Sequence, residues 1–92
     1  MTTTFKKDPD AVLDYEFDWS AWLTDISDSI SGTPVWMLSP GLTKVSQSNT
    51  SSVAAAFISG GVLGETETVT CRITTAGGRT DDRTVNLKIV SR

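Results

Sequence analysis

The last third of the chain carries the strongest constraint on what it can fold into. In "TVTCRIT" (68–74), Val69, Cys71 and Ile73 alternate with Thr70, Arg72 and Thr74. After "AGG" at 76–78, Val85, Leu87 and Ile89 alternate with Thr84, Asn86 and Lys88. A period of two places every large apolar group on one face of an extended chain. Two such runs joined by a glycine pair read as a β-hairpin with one buried face. Gly77 and Gly78 are expected to supply positive φ in the loop, a conformation that costs a residue with a Cβ about 1–2 kcal/mol. A hairpin of this kind needs a second layer, and the rest of the chain must supply it.

The first half offers "KDPDAVLDYEFDWSAWL" (7–23), in which Leu13, Tyr15, Phe17 and Trp19 alternate with Asp14, Glu16 and Asp18. Residues 12–19 are therefore expected as a half-buried strand, with Leu13, Tyr15, Phe17 and Trp19 as its inward row. Ser20 then caps a short helical turn that carries Trp22 and Leu23 inward. Ile30 to Leu38 reads as a further strand, bulged or at an edge because Pro34 has no N–H to give a ladder. "SPG" (39–41) is a turn with Gly41 free to take positive φ. Leu42–Val45 reads as a short strand before the loop "SQSNTSS", and Val53–Ile58 as another before the glycine turn "SGGVLGE". Met1 to Pro9 is polar and without period. It is expected as a flexible N-terminal arm over 1–9, leaving one domain over 10–92. Six or seven short strands separated by turn clusters describe an all-β antiparallel sandwich. At 92 residues the chain buries a modest core, roughly 60–65% of its unfolded surface.

Chemistry is sparse. There is no His, so the usual general base and the commonest metal ligand are missing. Cys71 is the sole cysteine and shares an inward face with Val69 and Ile73, which predicts a buried, inert thiol rather than a nucleophile. "SGGVLG" lacks the Lys-Ser/Thr ending and the following helix of a phosphate cradle. The Asp residues do not follow the spacing of an EF-hand. No catalytic residue, cofactor or metal site is expected. The net charge of −3, with basic residues scattered except for Lys6-Lys7 and the pair Arg79 and Arg83, argues against a nucleic-acid footprint. No apolar run approaches the ~18 residues that span a bilayer. "MTTTFKKDPD" has no apolar segment of the signal-peptide kind, and the lone cysteine suits a reducing cytosol.

Several stretches together resemble a known family: "KDPDAVLDYEFDWSAWL", "DSI" at 28–30, "W" at 36, "GLT" at 41–43, "SGG" at 59–61 and "ITTAGGRTDDRTVNLKIV" at 73–90. They are similar to the small phage and prophage virion proteins described as fibre–tail adaptors, from about Lys7 to the C-terminus. The chain departs from such sandwiches in having Glu67, not a tyrosine, after the glycine turn, and in a longer segment over 24–36. The resemblance implies a compact immunoglobulin-like β domain of about seven strands, non-enzymatic, residing in the virion after assembly in the bacterial cytoplasm. Its partners would be other phage structural proteins (tail, fibre or neck subunits) repeated by particle symmetry, with no nucleic acid and no membrane. A head decoration or other minor virion protein, or a carbohydrate- or host-binding module of the same fold, are the alternatives.

In an adaptor some surface must be left for neighbours. The arm supplies Phe5, its only aromatic, and Lys6 and Lys7, its only positive cluster. The strand supplies Asp14, Glu16 and Asp18, which either guard an unpaired edge against aggregation or face a basic partner. These six residues are the candidate partner contacts.

Overall fold

In the computed structural model, which describes residues 3–91, the aromatic and aliphatic alternation resolves into two facing sheets. The chain runs β1 (Thr3–Lys7), β2 (Leu13–Asp18), α1 (Ser20–Asp25), β3 (Val35–Leu38), β4 (Leu42–Asn49), β5 (Val53–Gly60), β6 (Thr66–Thr74) and β7 (Thr80–Ile89). One sheet has the order β1-β7-β6-β3 and the other β2-β5-β4. The all-β expectation holds, with seven strands among the described residues.

The two periodic runs of the hairpin become the centre of the four-stranded sheet. Val69, Cys71, Ile73, Val85, Leu87 and Ile89 are all buried and face Tyr15, Phe17, Trp19, Ala54, Ala56 and Ile58 of the other sheet. Register explains how β2 and β5 share one inner face. Tyr15 pairs with Ala56 and Phe17 with Ala54, so each ring lies beside a methyl group rather than another large side chain. Trp19, fully buried, also donates its Nε1–H to Asp81 Oδ2 at 2.8 Å, a hydrogen bond that ties the end of β2 to β7 of the opposite sheet. Leu13, expected in the inward row, is 36% exposed because it sits at the open end of β2. Cys71 is buried as expected, and burial, with Asp82 adding to it, pushes its thiol up to about 12. At neutral pH it is no nucleophile.

The hairpin loop is held from outside. Asp28 accepts at Oδ1 from Ser29 N (2.8 Å) and Gly77 N (3.0 Å), and at Oδ2 from Arg79 Nη1 (3.0 Å). The Thr75 hydroxyl above all, then these amides and Arg79, pull its carboxyl down to about 2 against the opposing effect of burial. This hub also corrects the reading of the two glycines. Gly78 does take positive φ (+88°), whereas Gly77 does not. A Cβ on Gly77 would stand 2.8 Å from both Asp28 Oδ2 and Arg79 Nη1, so that position needs space. Gly41 is the same: it lacks positive φ, and a side chain there would run into the Glu67 carboxylate.

Four further boundaries move. Thr3–Lys7, expected as part of a flexible arm, is strand β1, parallel to β7 from Thr3↔Val85 to Lys7↔Ile89; Met1 and Thr2 lie outside the described residues. Ser20 opens α1 rather than capping it, and the Asp18 carboxylate accepts from its N–H at 2.8 Å. The strand expected from Ile30 begins only at Val35, after Pro34, with Ile30 making a single bridge to Thr75. β4 runs on to Asn49 through residues expected as loop, with a bulge at Val45 between Lys44 and Ser46. Ser, Gln and Asn form a ladder there because its bonds are backbone bonds, indifferent to side chain.

Candidate functional site

The six candidate contacts lie in two separate stretches of sequence, and the fold brings five of them to one long side of the molecule. There β1, the edge of one sheet, and β2, the edge of the other, run past each other without pairing. A trough lies between them. One part is lined by Phe5, Lys6, Leu13, Asp14, Tyr15 and Glu16. It continues past Phe5 and Glu16 towards Phe17, Asp18, Asp82 and Arg83.

Phe5 is the floor of this trough. It is 42% exposed, and its ring leans on Tyr15 at 5.4 Å between centroids. Lys6 and Lys7 are neighbours in sequence but not in environment, because successive strand residues point to opposite faces. Lys6 is exposed on β1. Lys7 is fully buried, and its Nζ donates to the carbonyl oxygens of Asp8 (3.0 Å), Ala11 (2.6 Å) and Gly60 (2.7 Å). That uses all three ammonium donors. Burial lowers its pKa from the ordinary lysine value, opposed by Asp8 and Asp10. Lys7 therefore holds the 8–11 loop against the end of β5 and has no surface to offer.

Asp14, Glu16 and Asp18 are all exposed and form a row on the outward face of β2. In register they stand beside Phe57, Ala55 and Val53 of β5. Their backbone groups matter as much as their charge. Trp19 N donates to Ser52 O at 2.9 Å, which continues the β2–β5 register one residue beyond Asp18↔Val53. Opposed residues of an antiparallel pair alternate between bonded and non-bonded. Trp19, Phe17 and Tyr15 thus bond to β5, while Asp18, Glu16 and Asp14 turn N–H and C=O towards the open edge. Arg83 bears this out: its Nη1 donates to Asp18 O at 2.6 Å from outside the sheet. Asp18 is the most engaged of the three. Its pKa is lowered by its hydrogen bonds to Ser20 first and by Arg83 only weakly.

Arg83 is not among the six candidate contacts, and it closes one end of the trough. Its guanidinium lies 5.1 Å from the Trp19 ring centroid, and its Nε is 3.9 Å from Asp81 Oδ2. Asp82, next to it, is occupied by Arg72 through two bonds of 2.7 and 2.9 Å. The "TDDR" run showed the charges but not which sheet edge they would reach.

No cluster of three or more His, Cys, Asp or Glu able to hold a metal occurs among the described residues. Nor, among them, is any helix long and apolar enough to cross a membrane. The profile of the family described as podophage GP4 fiber-tail adaptor protein gp77 matches residues 7–88. No curated protein sequence matches the chain.

Proposed function

Because the chain belongs to the family of the podophage GP4 fiber-tail adaptor protein gp77, a structural phage protein, we propose that it is a non-enzymatic virion subunit that connects tail and fibre proteins through the trough between β1 and β2. The observation that carries this reading is the convergence of Phe5, Lys6, Asp14, Glu16 and Asp18 on one open side of the sandwich. An adaptor works by surface complementarity repeated by the symmetry of its particle, and an exposed aromatic beside a row of charge is the kind of anchor such contacts use.

The domain is read as immunoglobulin-like. β2-β5-β4 and β3-β6-β7 follow the orders that strands B-E-D and C-F-G take in that fold, with the first strand on the sheet opposite its constant-type place. Fold alone does not fix function. The sugar-binding alternative would want an exposed platform of aromatics, whereas here Trp19 is buried and Trp22 and Trp36 pack partly against the core.

Electron microscopy of the virion tests the proposal. The expected result is density for this subunit between tail and fibre, with the β1–β2 side against a neighbour. Density on the head shell, or a subunit whose β1–β2 side faces solvent, would sink it.

A further inference from the structure

The geometry points to β2 as an acceptor edge: an extended segment of a neighbouring structural protein, carrying basic residues at alternate positions, adds to β2 as an extra strand and lies over the trough. This rests on the adaptor reading above and names the chemistry of its partner.

The place for such a strand is already laid out. In a constant-type immunoglobulin sandwich the first strand lies beside the second. Here β1 pairs with β7 instead, so β2 is left as the terminal strand of its sheet. Its edge is a regular six-residue strand, free of bulges and of proline. Asp14 and Glu16 direct their peptide groups into that open position, as the Trp19–Ser52 bond requires.

Charge selects the occupant. A strand laid along β2 puts every second residue about 5 Å from Asp14, Glu16 and Asp18, on the same face. Opposite charges at that distance stabilise the pair and like charges oppose it. A second copy of this chain is thereby disfavoured. In an antiparallel pair centred on Glu16, Glu16 would face Glu16 and Asp14 would face Asp18. A partner with Lys or Arg at those positions meets no such repulsion. Its intervening residues would point inward, over Phe5 and Leu13, which are 42% and 36% exposed. Apolar or β-branched side chains fit that floor. Main-chain bonds supply affinity and alternate side chains supply selectivity, the usual division in strand addition.

Two measurements test this separately from the adaptor reading. The first is amide hydrogen exchange on the whole protein with a nine-residue probe peptide alternating Lys and Val, and a control alternating Glu and Val. The Lys peptide should slow exchange at the Asp14 and Glu16 amides by about tenfold or more, and the Glu peptide should not. The double variant Asp14→Lys with Glu16→Lys should weaken the Lys peptide by about tenfold. Equal effects of the two peptides, or no protection at Asp14 and Glu16, would overturn strand addition. The second is the density along β2 in the virion. A hydrogen-bonded strand with basic side chains beside the carboxylates supports the inference. An edge covered only by side chains overturns it and leaves the adaptor reading standing, whereas a bare edge facing solvent overturns both.

Discussion

β2 and β4 are the two outer strands of one sheet, flanking β5 on either side, and they meet the hazard of an unpaired edge by different means. β4 is broken by a bulge at Val45, and from Ser46 onward it carries Ser, Gln and Asn. A bulge twists an edge and spoils it as a template for another strand. β2 keeps an unbroken register with β5 over all six of its residues. Along its open edge stands the row of carboxylates Asp14, Glu16 and Asp18. Distortion rejects every partner alike, whereas charge rejects a like-charged one and admits its opposite. The difference teaches which side of the molecule is built to close and which to receive.

The inner and outer rows of β2 should therefore respond to mutation in opposite ways. The largest effect is expected on the inner row. Trp19→Ala removes a fully buried ring and its bond to Asp81, and should lower stability by about 3–5 kcal/mol in urea unfolding. A loss below about 0.5 kcal/mol, the level of an ordinary surface change, would mean that the ring belongs to docking rather than to the core.

The neighbouring lysines on β1 give the next contrast. Lys7→Met strands the carbonyl acceptors of Asp8, Ala11 and Gly60 and should cost about 1–3 kcal/mol. Lys6→Met, at an exposed position, should stay within about 0.5 kcal/mol. Equal losses would contradict the alternation of β1.

Acid separates the clamped hairpin from the edges. Asp28 has its folded pKa depressed to about 2 from an ordinary 3.8. The sign follows: its contribution is complete above the unfolded value and is lost as pH falls from near 4 through about 2. Melting curves of Asp28→Asn should start lower at neutral pH and lack that part of the acid loss. A variant that melts like the parent at every pH would remove Asp28 from the account of the hairpin.

The smallest change in stability is expected on the outer row. Asp14→Ser with Glu16→Ser, leaving the Asp18–Ser20 hydrogen bond in place, should shift unfolding by no more than about 0.5 kcal/mol. The same variant should self-associate in sedimentation experiments as repulsion between edges falls, whereas Lys44→Ser on the bulged β4 should not. If neither variant changes the sedimentation profile, charge is not what guards β2.

Much of this architecture was legible in the residues. The inward row of β2 showed itself through Tyr15, Phe17 and Trp19, and the central hairpin through Val69 to Ile73 and Val85 to Ile89. Burying one face of a strand forces a period of two on the sequence, and that period can be read directly. The same reasoning missed β1 and the second half of β4. "TTFKK" and "SQSN" carry no apolar alternation, since a strand at the margin of a sheet buries little and is held by peptide bonds common to all residues.

What the sequence by itself determined is the set of core faces, the all-β class and the turn at Gly78, because each depends on side-chain type within a few residues. Only the tertiary structure decided that β1 would join β7 rather than β2. That pairing closes between residues at opposite ends of the chain, from Thr3↔Val85 to Lys7↔Ile89, and backbone bonding leaves no mark on composition. On that one choice hang the burial of Lys7, the exposure of Lys6, and the open edge at which Asp14 and Glu16 present both their charge and their peptide groups.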